Sequence, residues 1–230
     1  MKAVILAAGK GTRMLPLTKT MPKVLIPING KPFLQYVIEN VRQAGYTELA
    51  IVVGHLKEKI AAFLKQNKIK ATLIEQKELR GTGDAVLQAR KFTGKDNFLI
   101  YYCDNLISAQ DLKSMPLSDG FNYTGGIEVE HPENYGVLVE KNGFLQEIKE
   151  KPKDFVSNLI NPGLYKFTPE IFSALEKVTV SPRGEIELTD AVTILAKQRK
   201  VKVIRLRDYW LDLGTKDDVR KVEEFLRKLK

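Results

Sequence analysis

The loop at residues 6–14, with the sequence LAAGKGTRM, carries residue types that can bind an anion. It directly follows a short apolar run, so its backbone N–H groups lie at the carboxyl edge of a predicted strand. Gly9 and Gly11 let the main chain approach a phosphate without a Cβ atom in the way, and Arg13 can add a bidentate contact. The dinucleotide fingerprint and the P-loop are excluded, because Met14 replaces the third glycine and no Gly-Lys-Ser/Thr sequence is present. The alternative is a tight strand exit that binds nothing.

A second cation follows in MPKVLIP, residues 21–27, where Lys23 stands between two prolines that stiffen the segment. Arg13 and Lys23 together can match several negative charges, which suits a triphosphate or a pyrophosphate better than a single phosphoryl group. At these residues the chain resembles the sugar-1-phosphate nucleotidyltransferases, whose signature is a Leu-Ala-x-Gly-x-Gly-Thr-Arg loop followed by a Pro-Lys segment. The resemblance extends over nearly the whole chain.

The resemblance implies that the first loop holds the nucleotide and that Arg13 and Lys23 neutralise the β and γ phosphates. The later segment EQKELRGTGDAV, residues 75–86, is similar to the family's base-recognition segment. There an amide would meet a pyrimidine edge, and glycines would admit the flat ring close to the backbone. Without the resemblance, Gln76 is interpreted as a surface amide. The nucleotide-binding residues implied in this way are Leu6, Ala7, Ala8, Gly9, Gly11, Gln76, Gly81, Thr82 and Gly83.

Two carboxylates are candidates for a metal site. Asp104, in YYCDNLI, follows the fourth predicted parallel strand and therefore lies at the same sheet edge as the first loop. A carboxylate opposite a triphosphate suits Mg²⁺, which binds through one or two carboxylates together with phosphate oxygens. The resemblance names Asp104 and Asp212, the latter in YWLDLGT, as the metal ligands. The alternative for Asp212 is a carboxylate in a turn or at a helix start.

The segment EIKEKPK, residues 147–153, resembles the family's Glu-Lys-Pro motif. A mixed charge run of this kind is ordinarily a solvated loop. Its position between a Tyr-Gly-Val and an Asn-Pro-Gly sequence matches the order of the family's sugar-binding pieces. The resemblance implies that Glu150 accepts hydrogen bonds from sugar hydroxyls and that Lys151 meets the sugar phosphate as a third catalytic cation. The implied sugar-binding residues are Gly136, Glu150, Asn161 and Glu185.

The implied activity is nucleotidyl transfer, in which an oxygen of a sugar 1-phosphate attacks the α-phosphorus of a nucleoside triphosphate and pyrophosphate leaves. Positioning and charge neutralisation would carry the catalysis, because the phosphate nucleophile is already ionised near pH 7 and no general base is needed. The chain looks most like glucose-1-phosphate thymidylyltransferases and uridylyltransferases. Thymine and uracil differ by one methyl group, worth about 1–3 kcal/mol in a pocket, so dTTP and UTP both stay open. The alternative is an inactive regulatory module of the same fold.

Short apolar runs alternate with segments of helical period through the first hundred residues, which predicts β-α-β units with right-handed crossovers. The expected fold class is α/β, with a doubly wound, mostly parallel, Rossmann-like sheet covered by helices on both faces. Shorter strand-like pieces beyond about residue 120 predict a smaller β-rich lobe that binds the sugar. We therefore expect one catalytic domain over residues 1–230, with a nucleotide-binding half at 1–120, a sugar-binding half at 121–215 and a C-terminal helix at 216–230.

The composition is that of an ordinary globular protein, with 43% hydrophobic and 28% charged residues in 230. No apolar run approaches the roughly 18 residues of a membrane span, and the single cysteine, Cys103, can form no internal disulfide. A cytoplasmic protein is expected, with Cys103 as a small buried thiol. The net charge of +9 admits a nucleic-acid partner, but the basic C-terminal positions are those of the solvated face of an amphipathic helix.

The predicted partners are a nucleoside triphosphate and a sugar 1-phosphate, with Mg²⁺ as cofactor and with neither nucleic acid nor membrane. The sequence leaves a homo-oligomer open. We also expect 230 residues to cover the catalytic domain alone, without the β-helical C-terminal extension that some relatives carry, so acetyl transfer is not expected.

Overall fold

The computed structural model describes residues 1–229, which form an α/β fold around one large central sheet. The strands are Lys2–Ala7 (β1), Pro27–Ile28 (β2), Lys31–Pro32 (β3), Glu48–Val53 (β4), Thr72–Glu75 (β5), Phe98–Tyr102 (β6), Asn105–Ile107 (β7), Asn122–Glu128 (β8), Gly136–Lys141 (β9), Phe144–Glu150 (β10), Leu159–Ile160 (β11), Leu164–Phe167 (β12), Val201–Arg205 (β13) and Trp210–Asp212 (β14). The helices are Phe33–Gln43 (α1), Lys57–Gln66 (α2), Thr82–Gln88 (α3), Arg90–Thr93 (α4), Ala109–Lys113 (α5), Glu170–Leu175 (α6), Leu188–Lys197 (α7) and Lys216–Lys228 (α8).

The first half of the sheet is parallel, as predicted. Strands β6, β1, β4 and β5 lie side by side in that order, and every neighbouring pair among them is parallel. Strands β1, β4 and β6 are mostly apolar and buried, as expected of strands that helices cover on both faces, whereas the edge strand β5 is largely exposed. In β1, Ala3 and Ile5 pack into the core on one face, whereas Val4 packs into the core on the other. This arrangement brings the carboxyl ends of four strands to one edge.

The second half of the sheet corrects the prediction of a mostly parallel architecture. In the whole ten-stranded sheet, four pairs of neighbouring strands are parallel and six are antiparallel. A short connection explains one of the antiparallel pairs, because a two-residue turn can join only antiparallel strands, whereas the other five pairs join strands that are not consecutive in the chain. Strands β9 and β10 are joined in this way by Asn142 and Gly143, both with positive φ, as in the hairpin turns that match strand twist. The β-rich half extends the same sheet instead of forming a second one.

Two hydrophobic cores lie on the two faces of the sheet. Helices α1, α2, α5 and α8 contribute apolar side chains to one core, and α3, α6 and α7 contribute to the other. In α1 the residues spaced i, i+3, i+4 and i+7, which predicted the helix, are the ones that are buried. The expected helices on both faces are therefore present. These helices hold the strands, and with them the loops at the sheet edge, in fixed positions.

The C-terminal helix α8 is amphipathic, as predicted. It begins with a capping box between Thr215 and Asp218, and it buries Val222 and Leu226. The predicted helix reached residue 230, but α8 ends at Lys228, and Lys230 lies outside the described residues. No helix within residues 1–229 combines the length and the apolar character that crossing a membrane requires.

Candidate functional site

The carboxyl edge of the parallel strands brings the sequence-predicted residues together. The loop after β1 lies beside the end of β6, where the amide of Cys103 donates a hydrogen bond to the carbonyl oxygen of Leu6 at 3.1 Å. Asp104 follows immediately, at the edge predicted for it. Gln76 directly follows β5, and its backbone N–H donates to the carbonyl oxygen of Val53 at 2.8 Å. Main-chain hydrogen bonds therefore connect segments that are far apart in sequence.

The glycine-rich loop is held in one shape by its own contacts. Gly11 has a φ of +64°, and its carbonyl oxygen accepts a hydrogen bond of 2.8 Å from the buried hydroxyl of Thr18. A Cβ atom at Gly11 would lie 3.0 Å from Thr18 and 3.1 Å from Lys23, which is tighter than ordinary packing. A Cβ atom at Gly9 would meet no atom of residues 1–229 within 4 Å. Gly11 thus shapes the loop, and Gly9 leaves open space in front of it.

This loop forms one wall of a cleft of about 470 Å³ at the sheet edge. Its other walls come from the segment after β5, from the start of α3 and from the end of β6. Eight of the nine predicted nucleotide-binding residues line it, together with Lys23 and Asp104. The eight are Leu6, Ala7, Ala8, Gly9, Gly11, Gln76, Gly81 and Thr82.

The structure does not group Gly83 and Glu185 with the residues predicted to act beside them. Gly83 is not among the lining residues of either cleft in the described part of the chain, and its backbone amide donates to the carbonyl oxygen of Ile186 at 2.8 Å. Ile186 in turn donates to the carbonyl oxygen of Arg80 at 2.7 Å. These two bonds attach the 181–187 segment to the Gly81 turn. Glu185 therefore lines the first cleft and not the predicted sugar pocket.

A second cleft, of about 330 Å³, adjoins the first. Thr82, Tyr102 and Asp104 line both clefts, so the two spaces share a wall. The predicted sugar-side residues and the predicted metal carboxylates meet in this second cleft. They are Gly136, Glu150, Lys151, Asn161, Asp104 and Asp212.

The sugar-side residues are held by neighbouring backbone. The amide of Asn161 donates to the carbonyl oxygen of Gly136 at 2.8 Å, and its side chain bonds the hydroxyl of Tyr165 and the amide of Gly163. Lys151 has a φ of +43°, in the left-handed region that residues with a side chain rarely adopt. Its amide nevertheless donates to the carbonyl oxygen of Tyr135 at 3.0 Å. The backbone thus places the Lys151 side chain at the mouth of the cleft.

Glu150 is the acidic group among these sugar-side residues. Loss of solvent around the carboxylate, and then the nearby Glu187 carboxylate, raise the pKa of Glu150. Arg183 and Lys151 act in the opposite direction. Its carboxylate oxygens are acceptors, which is the chemistry that hydroxyl groups of a sugar require.

Asp104 and Asp212 are brought together by the small ribbon of β7 and β14. The register of this ribbon places Asp212 opposite Asn105, and the amide of Leu213 donates to the carbonyl oxygen of Asp104 at 2.8 Å. Burial, and then the Asp104 carboxylate, raise the pKa of Asp212 to about 6. Lys23 donates to the Asp104 carboxylate at 2.9 Å and lowers the pKa of Asp212. The two carboxylates therefore interact electrostatically and share one cationic neighbour.

This donor set fits a hard divalent cation. No group of three or more His, Cys, Asp or Glu side chains within residues 1–229 is arranged to hold a metal ion. Two facing carboxylates nevertheless match Mg²⁺, which keeps water in its shell and takes phosphate oxygens from a substrate. Asp104 and Asp212 would be its protein ligands.

The cations of the site are divided between the clefts. Lys23 lines the first cleft, as predicted for a residue that contacts a triphosphate. Arg13 lines the second cleft, on the Asp212 side, although the sequence analysis placed it beside the same triphosphate as Lys23. It is also one of the groups that lower the pKa of Asp212. The short helical turn at Thr12–Met14, which buries Met14, carries Arg13 out of the glycine loop and toward Asp212.

Several lining residues were missed by the sequence analysis. Lys10 adds a cation to the first cleft, and Arg183 adds one to the second. Trp210 also lines the second cleft, where its indole N–H donates to Asn105 at 2.7 Å and its ring meets Tyr135 edge-on. Lys10 lies inside the glycine motif and could have been identified there. The other two carry no local motif, because a distant strand or loop brings them to the cleft.

Cys103, beside Asp104, is buried, as expected for a small thiol packed under the sheet. Burial, and then the Asp104 carboxylate, raise the pKa of the Cys103 thiol. The neutral thiol therefore predominates at physiological pH, and Cys103 is a packing residue in this structure.

Comparison with known proteins agrees with this geometry. Residues 2–228 match the family described as nucleotidyl transferase. A bifunctional protein GlmU of Methanocaldococcus jannaschii is 43% identical over 229 residues, which cover 98% of this chain and 54% of that protein. A bifunctional sugar-1-phosphate nucleotidylyltransferase/acetyltransferase of Sulfurisphaera tokodaii is 41% identical over 215 residues, 93% of this chain and 52% of that protein. The chain thus spans about half the length of these relatives.

A solved structure of UDP-glucose pyrophosphorylase in complex with UDP-glucose superposes on this chain with a TM-score of 0.89 and 29% identity. The match covers 100% of this chain and 99% of the other. The likeness therefore includes both the parallel half and the β-rich half of the sheet.

Proposed function

Because the chain belongs to the nucleotidyl transferase family, we propose that it transfers a nucleotidyl group from a pyrimidine nucleoside triphosphate to a sugar 1-phosphate. The products are a nucleotide sugar and pyrophosphate. One observation carries the proposal: the cleft lined by the glycine loop and the cleft lined by the sugar-side residues meet at Tyr102 and Asp104. A transfer between two bound anions requires two adjacent sites of this kind.

In the proposed reaction a phosphate oxygen of the sugar 1-phosphate attacks the α-phosphorus, and pyrophosphate leaves from the opposite side. The nucleophile is ionised near neutral pH, so the chain's task is to hold two anions in line and to offset their charge. Lys23 is suited to the triphosphate, because it lines the first cleft and is already fixed by Asp104. Arg13 and Lys151 are suited to the acceptor phosphate, because they line the second cleft.

Asp104 and Asp212 would hold Mg²⁺ at the junction of the clefts. When bound, this ion supplies positive charge to phosphate oxygens at the point where negative charge accumulates. Asp104 and Asp212 would position the Mg²⁺ ion between the two substrates. Residues Lys23 and Arg13 lie close enough to influence the pKa of Asp212, so they would stay within range of the same phosphates.

For the substrates we propose glucose 1-phosphate as the acceptor and UTP or dTTP as the donor. The similar solved structure that binds UDP-glucose supports this choice, with 29% identity over the whole chain. Glu150 and the amide of Asn161 offer polar groups in the second cleft, which suits a hydroxyl-rich ligand. The longer relatives are named as bifunctional proteins, one of them as a sugar-1-phosphate nucleotidylyltransferase/acetyltransferase, and neither name specifies glucose. Other sugar 1-phosphates are therefore the main alternative acceptors.

The alternative is a regulatory module that binds the same ligands without turning them over. Such a module is expected to have lost a cation or a metal carboxylate. This chain retains Arg13, Lys23, Asp104 and Asp212, and all four face the clefts. The retained set favours the enzyme.

The test measures pyrophosphate release with Mg²⁺ over a grid of UTP, dTTP, CTP, ATP and GTP against several hexose 1-phosphates, N-acetylated sugars included. Lys23→Ala should lower kcat by about 10²–10³-fold, by analogy with the loss of one preorganised donor. Its fold should persist, because the Asp104 carboxylate is 31% exposed and water can replace the ammonium group. Lys65→Ala, on the exposed face of α2, is the matched control. Near-normal turnover in Lys23→Ala, or no release with any pair, would contradict the proposal.

A further inference from the structure

The side chain of Gln76 is only 4% exposed and lines the first cleft. Its amide nitrogen donates to the carbonyl oxygen of Gly81 at 3.0 Å and to the carboxylate of Asp84 at 2.8 Å. Both N–H bonds are therefore used inside the protein. The side-chain oxygen is the only polar atom that Gln76 can offer to a ligand.

The orientation of this amide follows from the chemistry of its neighbours. The opposite orientation would place the Gln76 oxygen against a carbonyl oxygen and a carboxylate oxygen, with no hydrogen between them. Buried acceptors without a donor are strongly unfavourable. The amide therefore stays in the orientation that directs its oxygen away from Asp84.

Asp84 is a buried carboxylate that the proposed reaction does not use. It lies in the first turn of α3 and is 2% exposed. Besides the Gln76 amide, its oxygens accept hydrogen bonds from Arg80 at 3.2 Å and from Gln88 at 3.3 Å. Arg80 and Gln88 bond one carboxylate oxygen of Asp84 and hold the group in place, so that its other oxygen can fix the side-chain amide of Gln76.

We propose that Asp84 is a positioning residue that fixes the Gln76 amide so that the cleft presents a hydrogen-bond acceptor to the base. Among pyrimidines, uracil and thymine carry a hydrogen on N3, whereas the N3 of cytosine is itself an acceptor. The fixed amide therefore favours UTP and dTTP over CTP. This inference rests on the proposed function, because it takes the first cleft as the nucleotide site.

Substitution Asp84→Asn should relax this preference. An asparagine amide can turn its oxygen or its NH₂ group toward Gln76, so residue 84 no longer excludes the reversed Gln76 amide. The contact with the carbonyl oxygen of Gly81 still favours the original orientation, although that oxygen also accepts from the backbone amide of Ala85 at 3.2 Å. The variant should therefore offer a donor to cytosine more often than the unmodified chain does.

The experiment measures the dissociation constants of UTP and CTP by titration calorimetry, for the full chain and for two variants. The unmodified chain should prefer UTP at least about tenfold, and Asp84→Asn should reduce that ratio by at least about threefold by gaining affinity for CTP. The control is Glu58→Gln, an acid-to-amide change at an exposed position in the first turn of α2, away from Gln76 and Asp84, and it should keep the ratio. A merely structural role for Asp84 would lower both affinities together.

An unchanged ratio in a folded Asp84→Asn variant overturns the inference. Equal affinity of the unmodified chain for UTP and CTP overturns it whether or not the variant folds. Failure of the proposed function is distinguishable, because it appears as binding without pyrophosphate release. Absence of binding by both nucleotides would contradict the inference and the proposed function together.

Discussion

Gly163 brings the main chain close to the ring of Tyr102, one of the residues that line both clefts. A Cβ atom at this position would lie 2.5 Å from the ring Cγ atom and 2.6 Å from Cδ2. The two segments cannot separate freely, because the amide of Tyr102 donates to the carbonyl oxygen of Gly163 at 2.9 Å. We therefore expect Gly163→Ala to displace the Tyr102 ring and to disturb the junction of the clefts.

A matched control separates this collision from backbone strain. Gly163 has a φ of +74°, and Gly143 in the β9–β10 turn has a φ of +76°. A Cβ atom at Gly143 would have no atom of the described chain within 4 Å. Alanine in this left-handed region costs about 1–2 kcal/mol at either position. Overpacking adds about 1–3 kcal/mol at Gly163 alone.

The assay is equilibrium unfolding in urea, followed by pyrophosphate release under conditions where each variant is folded. Gly143→Ala should lose about 1–2 kcal/mol of unfolding free energy and keep its turnover. Gly163→Ala should lose about 2–5 kcal/mol and most of its turnover. Equal losses of stability in the two variants, or full activity in Gly163→Ala, would refute the reasoning.

Gly9→Ala should change the free energy of unfolding by less than about 0.5 kcal/mol while raising KM for the triphosphate. An unchanged KM would contradict the claim that Gly9 leaves space for the triphosphate. Gly83→Ala should destabilise by about 1–3 kcal/mol in urea unfolding, since its Cβ atom would lie 2.8 Å from a carbonyl oxygen, and an unaltered midpoint would contradict this. Burial opposes ionisation of Asp119, but hydrogen bonds from Tyr123 and Lys166 hold its pKa below the ordinary value. The ionised carboxylate therefore stabilises the fold at neutral pH, and this stabilisation is lost as the pH falls below about 4. Lys166→Met should flatten that acid-side loss in urea unfolding, and an unchanged pH profile would argue against the pair.

The parallel half of the fold could be predicted because its signal is local. Each of β1, β4 and β6 is built on a run of apolar residues, β5 carries a shorter one, and segments of helical period separate these strands. The order of the second half depends on long-range pairing instead. Strand β12 inserts between β6 and β8, although no other strand of the ten-stranded sheet lies between those two in the chain, and nothing in the sequence of Leu164–Phe167 specifies these neighbours.

The candidate site also combines residues placed by local sequence signals with residues placed by long-range contacts. The glycine loop and Asp104 lie at the expected sheet edge because each directly follows a strand of the parallel half, and Lys23 reaches the same cleft from a short helical turn further along the chain. The packing of Gly83 could not be predicted, because a glycine that admits a ligand and one that packs against Ile186 look alike in sequence. The position of Glu185 beside the first cleft could not be predicted either, since it follows from main-chain hydrogen bonds between its segment and the Gly81 turn.

The resemblance identified Asp212, but only the structure explains its position. The ribbon of β7 and β14 joins segments about a hundred residues apart and sets Asp212 opposite Asn105. A strand of three residues at Trp210–Asp212 has too weak a pattern to be recognised in the sequence. Its pairing partner is equally short.

The account depends on the two carboxylates acting as one centre between the clefts. A double-mutant cycle of Asp104→Asn and Asp212→Asn tests this most directly, with pyrophosphate release measured over a Mg²⁺ titration. Each single variant should lose about 10²–10³-fold in kcat/KM, and the double variant should lose little more than either, because both carboxylates hold the same ion. Losses that multiply in the double variant would show that the carboxylates act independently, and normal activity in either single variant would remove that carboxylate from the site.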